Sequence, residues 1–448
     1  MNDPTQARLH PLSRVSSIFS QILQQVPRPL FERVVAAHKG ERHSRGFCCW
    51  DQFVAMLFCQ LGQAQSLREI YEGLQASEGK LVHLGMNKAP RHSTLAYANV
   101  HRPWEIYQDL FTELLAHLRA KLPVSAKTPL DIPGKLFPGK LFSLDSTLID
   151  LCAKVFDWAK YRTAKGAVKI HLLLDHDGLL PEFAIITDGK ASDIRTAHKF
   201  SFPKGSMVVF DRGYCDYDWF AGFAPKGVHF VTRLKDNASW VALESRPVPV
   251  DSNVRHDDIV VFAQHNTSDN ERFFRRVVWW DETHQREYVF LTNHLDLDAA
   301  VVAAVYKQRW QIELLFKALK QNLRVKTFVG TSANALKIQI WTALIALLLV
   351  RYLQLRSRIH WHLSRFVALL RHQLFVYRDL WRFLDEPFEG PLPLRDDYIP
   401  PQPNLFSESD VGQHNNLIIG SDNQPQPQTE NRTDANALLS TPLITVFG

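Results

Sequence analysis

The segment Tyr306-Lys-Gln-Arg-Trp-Gln-Ile-Glu-Leu-Leu-Phe-Lys-Ala-Leu-Lys320 combines an apolar side and a charged side at helical spacing. With about 100° of rotation per residue, five polar residues fall within one sector of about 80°: Tyr306, Arg309, Glu313, Lys317 and Lys320. The apolar residues of this region lie on a different sector: Ile312, Leu315, Phe316, Leu319 and Leu323. The pattern predicts one helix that begins near Asp298, buries its apolar side and presents one carboxylate among cations and a tyrosine.

Two interpretations of this charged side are open from the helix alone. A carboxylate among cations suits a metal ion that is held beside a phosphate backbone. The alternative is an ordinary surface helix in which Arg309 and Glu313 form an ion pair at a spacing of four residues. The rest of the sequence has to decide between a binding site and a solvated helix face.

Composition and charge favour a globular protein with a polyanionic partner. The chain has 448 residues, of which 46% are hydrophobic and 22% charged, as in ordinary globular proteins. From Glu386 to the end there are nine acidic and two basic residues, a net charge of −7. Because the whole chain carries +6, residues 1–385 carry +13. A basic body with an acidic tail indicates nucleic acid before a membrane surface.

The cysteines and the apolar segments predict a cytoplasmic protein. The five cysteines contain no C-x-x-C pair, which favours reduced structural thiols: Cys48, Cys49, Cys59, Cys152 and Cys215. The N-terminus lacks the apolar region of a signal peptide. The longest apolar run, from Trp341 to Val350, is too short to cross a bilayer and predicts a buried helix.

Residues 1–135 are predicted to form a helical N-terminal domain that binds DNA. Ser66 and Glu69 have the spacing of a capping box, and a further helix is predicted from about Ser93. These two short helices could form a helix-turn-helix DNA module, and a plain helical bundle fits equally well. Five basic residues are candidate phosphate contacts, although each is equally compatible with a solvated basic surface: Arg42, His43, Arg45, Arg91 and Arg102.

Residues 136–345 are predicted to form an α/β domain. Strands are predicted at residues 141–151, 167–175, 180–188, 207–211 and 229–234, with short helices before and after the fourth strand. A β-rich insertion is predicted at about 236–296, followed by the helix described above and a very apolar helix at 336–355. Residues 346–385 are predicted to be an Arg-rich helical region, and residues 386–448 an acidic disordered tail.

Three acidic residues occur in an informative order along this domain. Asp145 lies in the first predicted strand, Asp211 ends the fourth, and Glu313 lies on the late helix. An unpaired charge in an apolar strand is costly unless it meets a metal ion or a partner; the alternative is that both aspartates sit at strand ends in water. The order of elements matches the ribonuclease-H-like fold of polynucleotidyl transferases, a mixed five-stranded sheet with helices. That chemistry uses carboxylates around two divalent ions about 4 Å apart, and oxygen ligands suit Mg²⁺ or Mn²⁺.

The chain resembles the DDE transposases of bacterial insertion sequences, family four. Their hallmark is a Tyr-Arg-Glu-Lys signature with gaps of two, three and six residues, which these residues match: Tyr306, Arg309, Glu313 and Lys320. Asp211-Arg-Gly-Tyr214 and Asp145-Ser-Thr match two further landmarks. The N-terminal part, with Phe47-Cys-Cys-Trp-Asp-Gln-Phe and Ser66-Leu-Arg-Glu-Ile, resembles the domain often found ahead of such catalytic domains.

The resemblance implies a function and a role for each matching residue. Asp145, Asp211 and Glu313 would be catalytic residues and ligands of two Mg²⁺ or Mn²⁺ ions. Three others would hold DNA phosphates near the transposon end: Tyr306, Arg309 and Lys320. The protein would bind terminal inverted repeats, cleave the ends by two-metal hydrolysis and join the 3′-hydroxyls to target DNA by transesterification, as a homodimer on paired ends. The alternatives are a catalytically inactive, transposon-derived DNA-binding protein and a metal-dependent DNA nuclease.

Side chains near these residues give smaller predictions. Trp310 is predicted to pack in the core rather than to stack on a displaced base. Arg212 is predicted to fix the turn after Asp211. Lys169 and His171 are predicted to face opposite sides of one strand, so that at most one of them faces the site.

Overall fold

A computed structural model describes residues 16–388, apart from residues 43, 45, 78, 124–138, 153–159, 163–164, 251, 263–272 and 326. Two candidate phosphate contacts, His43 and Arg45, lie outside the described residues, as does the predicted acidic tail beyond residue 388.

The N-terminal part is helical, as predicted. Its helices are α1 (Ile18–Leu23), α2 (Arg28–Ala37), α3 (Cys49–Leu61), α4 (Leu67–Gln75), α5 (His92–His101) and α6 (Glu105–Ala120). The Ser66 hydroxyl accepts a hydrogen bond of 3.2 Å from the Glu69 amide, so the predicted cap of α4 is present.

The described strands form one mixed sheet. They are β1 (Leu141–Cys152), β2 (Lys160–Arg162), β3 (Lys165–Asp175), β4 (Leu180–Asp188), β5 (Met207–Phe210), β6 (His229–Arg233), β7 (Val241–Ser245), β8 (Val254–Val261), β9 (Phe274–Asp281) and β10 (Arg286–Thr292). The five predicted strands are adjacent in the order β4-β3-β1-β5-β6. Strand β1 is antiparallel to β3 and parallel to β5, and β5 is parallel to β6.

The five predicted strands are half of the ten described strands in this sheet. Strand β10 pairs with β6, with Phe290 opposite Arg233, and the sheet continues through β9 and β8 to β7. The predicted β-rich insertion therefore extends the sheet edge. Strand β7 is not among the predicted strands, and all five of its residues are exposed.

Seven further α-helices follow along the described part of the chain, and several of them cover the two faces of the sheet. They are α7 (Asp193–Ala197), α8 (Tyr217–Ala221), α9 (Ala299–Lys307), α10 (Trp310–Asn322), α11 (Ala333–Arg356), α12 (Leu363–Gln373) and α13 (Leu380–Asp385). Because side chains alternate along a strand, β1 contributes to two apolar clusters. Ile149 and Leu151 pack with α10 and α11, whereas Leu144 packs on the opposite side with Phe220 of α8.

Helix α11 is the central core helix. It is 24 residues long and apolar enough to cross a bilayer, but 83% of its most apolar window is buried inside the protein. It contacts α3 and α6 on one side and β4 on the other. The predicted buried helix is therefore confirmed, and it joins the N-terminal helices to the sheet in one apolar cluster.

The predicted single helix through Glu313 is in fact two helices. The first begins near Asp298, as predicted, and Asp298 caps it by accepting a hydrogen bond of 2.7 Å from the Ala300 amide. A tighter turn follows this helix. In it, the Arg309 amide donates a hydrogen bond of 3.0 Å to the Tyr306 carbonyl, a three-residue spacing. Tyr306 consequently belongs to α9, while Arg309 is the N-cap residue of α10. The apolar side of α10 is buried as predicted: Ile312, Leu315, Phe316, Leu319 and Leu323.

Candidate active site

Asp145 lies in the middle of the sheet on the face that α10 covers. Its side chain is 18% exposed. One carboxylate oxygen accepts a hydrogen bond of 2.8 Å from the Ser146 amide, and the other lies 3.3 Å from a guanidinium nitrogen of Arg309. Burial raises the pKa of Asp145 to about 6, with further raising contributions from Asp211 and Glu313 against the lowering effect of Arg309. The carboxyl therefore occupies a site where its charge needs a cation.

Asp211 follows β5, the strand that pairs in parallel with β1. Because Leu144 lies opposite Phe210 in that pairing, the next residue of each strand is one of the two aspartates. The electrostatic influence of Asp211 on the pKa of Asp145 agrees with this placement. Two carboxylates on neighbouring parallel strands thus approach each other at the carboxyl end of β5.

Glu313 reaches the same place from the first turn of α10. Arg309 lies between the two elements: one guanidinium nitrogen is 2.5 Å from a Glu313 oxygen, and another contacts Asp145. The Arg309–Glu313 ion pair considered above is present, but it is not a simple surface pair, since Arg309 also bridges to the sheet and is only 15% exposed.

The remaining two signature residues lie on either side of this cluster. The Tyr306 ring packs against Phe290, with ring centroids 4.9 Å apart, and lies 5.6 Å from the Arg309 guanidinium carbon. Burial raises the pKa of Tyr306 to about 12, so its hydroxyl stays protonated at neutral pH. Lys320 lines an open cleft of about 410 Å³ together with Asp145, Glu313 and Lys317.

The donor set of this cleft has the chemistry of a divalent-cation site. Its oxygens come from carboxylates, which hard cations prefer. Among the described residues, no three His, Cys, Asp or Glu side chains come close enough to one another to hold one ion. The Arg309 guanidinium supplies the positive charge between Asp145 and Glu313.

A neighbouring polar cluster escaped the sequence analysis. Asp193 of α7 accepts a hydrogen bond of 2.7 Å from the Ser146 hydroxyl and lies 3.1 Å from the Lys169 ammonium. His171 lies 3.5 Å from the same carboxylate. The prediction that Lys169 and His171 face opposite sides is wrong, because residues two apart on a strand share a face. That rule was the available signal for the pair, whereas nothing in the sequence pointed to Asp193.

Two further predictions need correction. Trp310 was predicted to be a core residue but is 56% exposed at the start of α10, which leaves stacking on a base as the open alternative. Arg212 reaches out of its own turn to Asp236, at 3.1 Å, and so links the segment after β5 to the segment after β6.

One candidate phosphate contact of the N-terminal part is engaged inside the protein. Arg102 donates hydrogen bonds to the Cys48 carbonyl at 2.8 Å and to the Ser44 hydroxyl at 2.9 Å. Arg42 and Arg91 are exposed.

Comparison with known proteins follows the same division of the chain. A family profile for the Transposase DDE domain matches residues 137–349. A second profile, for a domain of unknown function named DUF4372, matches residues 14–87. The first match spans the sheet and all three carboxylates, and the second spans α1 to α4.

Relatives with assigned names are similar over most of their length. "Putative transposase y4zB" of Sinorhizobium fredii is 31% identical over 65% of this chain and 80% of its own. "Probable transposase for insertion sequence element IS5377" of Geobacillus stearothermophilus is 28% identical over 56% of this chain and 64% of its own. "Putative transposase for insertion sequence element IS4SA" of Synechocystis is 25% identical over 58% of this chain and 71% of its own.

A solved piggyBac transposase synaptic complex with hairpin DNA overlaps 84% of this chain and 81% of its own, at 11% identity and a TM-score of 0.38. That likeness is too weak to establish a shared fold. The family profile and the relatives agree with each other and with the position of the carboxylates. The chain belongs to the DDE transposases of insertion sequences, with a DUF4372 domain ahead of its DDE domain.

Proposed function

We propose that this transposase cleaves and joins DNA at the ends of its insertion sequence, with Asp145, Asp211 and Glu313 as ligands of two divalent ions, Mg²⁺ or Mn²⁺. When bound, such ions make a water or a 3′-hydroxyl more nucleophilic and stabilise the leaving oxygen. The strand order β4-β3-β1-β5-β6 supports a ribonuclease-H-like core, with Asp145 inside β1 and Asp211 directly after the neighbouring strand β5.

The observation that carries this proposal is the bridge made by Arg309 between Asp145 and Glu313. Carboxylates that are partly withdrawn from water and close together repel each other unless a cation lies between them. The cleft is open to solvent on the side of Lys317 and Lys320, so a metal ion and a DNA strand both have access. A closed structural ion pair would not need that opening.

We propose that the other three residues of the Tyr-Arg-Glu-Lys signature bind DNA phosphates, as the family-four resemblance implies. Arg309 leaves the carboxylates when metal binds and grips a phosphate with its planar fork. Lys320 supplies a point charge to the DNA backbone along the cleft. Tyr306, which stays protonated, donates a hydrogen bond to a phosphate oxygen.

The partners follow from this chemistry. The DNA is double-stranded: the terminal inverted repeats of the element and a target site. A homodimer on paired ends is the expected assembly, in the cytoplasm where bacterial DNA is accessible. Cleavage exposes 3′-hydroxyls, and each attacks a target phosphodiester, so that one bond forms as another breaks.

A strand-transfer assay tests the proposal. Full-length protein is incubated with Mg²⁺, duplexes from both flanks of its coding sequence and a supercoiled target plasmid. Joined products support the proposal. Cleavage without joining supports the nuclease, and binding without either reaction supports the catalytically inactive DNA-binding protein.

A further inference from the structure

We propose that one face of α5 enters the DNA major groove and reads the sequence of the element's end. This face, called the α5 face, consists of residues that lie within about 120° of one another on the helix: Ser93, Thr94, Tyr97, Val100 and His101. The inference rests on the proposed function, since it names the part of the protein that would recognise the DNA ends on which the cleft acts.

The α5 face is presented to solvent by a firmly anchored helix. All five of its residues are exposed, whereas Leu95, Ala98 and Asn99 on the opposite side are buried. The Asn99 amide oxygen accepts a hydrogen bond of 2.8 Å from Gln52 of α3. Asn334 of α11 donates to the Asn99 carbonyl at 2.8 Å. The helix therefore cannot turn its exposed side inward.

The chain segment that carries the α5 face has a charge complementary to DNA. Residues 81–104 contain no aspartate or glutamate. Lys88 and Arg91 are exposed close to the start of the helix, and His92 follows in its first turn. Cations that flank a reading helix bind phosphates and set its position on the duplex. A protein partner with a neutral or basic surface would gain nothing from this arrangement.

The side chains of the α5 face suit contacts with base edges. Ser93 and Thr94 offer hydroxyls that donate and accept hydrogen bonds. Tyr97 is 67% exposed and Val100 is 47% exposed, and apolar groups of this kind contact the thymine methyl. The Tyr97 ring is stacked on His101 with centroids 4.0 Å apart, so it is held in place before any contact forms.

The dimensions and the neighbouring helix agree with a reading helix. Ten residues give α5 a length of about 15 Å, and a major groove about 12 Å wide admits an α-helix. Helix α4 precedes α5 and packs against it, with a connection between them that includes a 3₁₀ helix at Leu81–Leu84. Two packed helices in this order also occur in helix-turn-helix modules, where the connection is shorter. The plain-bundle alternative explains the buried side of α5 but gives no reason for the exposed tyrosine.

The test is a binding comparison with the full-length protein at one salt concentration. The probes are a duplex from the flank of the coding sequence and a scrambled duplex of equal length. Tyr97→Ala and Thr94→Ala are compared with the wild type. Lys204→Ala is the matched control, because Lys204 is exposed before β5, at the end of that strand remote from Asp211.

Each variant is also tested for folding and for catalysis. We expect Tyr97→Ala to lower the ratio of specific to scrambled affinity by about tenfold, the effect of losing one base contact. Its melting temperature should equal that of the wild type. Lys204→Ala should leave the affinity ratio unchanged.

The outcomes separate the two proposals. A wild type without preference for its own flanks, or variants that keep the full preference, would overturn the role of the α5 face. A variant that keeps its preference and loses self-association would instead identify a protein interface, which also overturns it. If the preference is lost as expected but the wild type cleaves no DNA, the α5 face stands and only the proposed catalytic function fails.

Discussion

Two arginine–carboxylate clusters in this protein have similar partners and different surroundings. In the edge sheet, Arg275 of β9 holds both oxygens of Asp257 of β8, at 2.7 and 2.6 Å. In the cleft, Arg309 divides its contacts between Asp145 and Glu313. The first cluster is a two-point grip on one carboxylate, and the second is a bridge between two.

Burial and hydrogen-bond saturation distinguish the clusters further. Arg275 and Asp257 are 4% and 8% exposed, and the third nitrogen of Arg275 donates to the Leu295 and Leu297 carbonyls. Glu313 is 34% exposed, and Arg309 Nε is buried without a hydrogen-bond partner among the described residues. A saturated, closed pair is structural, whereas an unsaturated one that opens to a cleft is available for a ligand.

The largest expected effect is a loss of DNA cleavage when the cluster in the cleft is mutated. Glu313→Gln removes a proposed metal ligand, so cleavage of element ends should fall by roughly a thousandfold or more, a loss typical of essential catalytic groups. End binding should stay close to wild type because the DNA contacts remain. Glu244→Gln on the exposed strand β7 is the control and should cleave normally. A Glu313→Gln protein that cleaves at the wild-type rate would falsify the ligand role.

The second effect is a difference between the two clusters in how much each arginine contributes to the free energy of unfolding. Arg275→Met leaves Asp257 buried and uncompensated, so the free energy of unfolding should fall by about 3–5 kcal/mol. Arg309→Met should cost clearly less, because Asp145 and Glu313 lie beside an open cleft and bind cations from solution. Urea unfolding in Mg²⁺ measures both. Equal losses in the two variants would mean that both clusters are structural.

A smaller effect concerns DNA affinity. Arg309→Ala should weaken end binding by about ten- to a hundredfold, the value of a hydrogen bond to a charged group. The slope of log affinity against log salt should become shallower by about one ion. Lys204→Ala serves as the control for lost charge. An unchanged slope in Arg309→Ala would remove this arginine from the phosphate contacts.

The smallest expected effect is a loss of stability at acidic pH, which is absent at neutral pH. It comes from His176, a buried histidine outside both clusters. Burial lowers the pKa of His176 to about 4, against about 6.5 in an unfolded chain. Between these values the unfolded chain binds a proton that the folded chain does not, so stability should fall as the pH drops from about 6.5 to 4. His176→Gln should reduce the slope of the free energy of unfolding against pH by the equivalent of up to one bound proton. Urea unfolding at several pH values measures this slope. The exposed His360→Gln should leave the slope as it is, and an equal flattening in both variants would contradict the assignment.

The sequence predicted the parts of the site that local patterns encode. Asp145 and Asp211 stood out as charges in otherwise apolar strands, and the parallel pairing of those strands brings them together. The apolar side of α10 followed from its spacing. The break after Tyr306 did not, because the helical periodicity of side chains runs through it and only the backbone hydrogen bonds reveal it.

The sequence could not supply the contacts made across the fold. Asp193 is 47 residues from Ser146, and only the position of α7 over β1 and β3 joins them. The second partner of Arg309 was hidden in the same way, since Asp145 is 164 residues away. The prediction that Trp310 packs in the core was wrong for another reason. A large aromatic side chain is ordinarily buried, and this one is exposed.

The most direct test of the central claim is a crystal structure of the protein with Mn²⁺ and a duplex from its element's end, with Mn²⁺ located by anomalous scattering. We expect Mn²⁺ between Asp145, Asp211 and Glu313, with Arg309 moved from the carboxylates onto a DNA phosphate. Bound DNA with no Mn²⁺ at these residues, and with Arg309 still bridging Asp145 and Glu313, would contradict it.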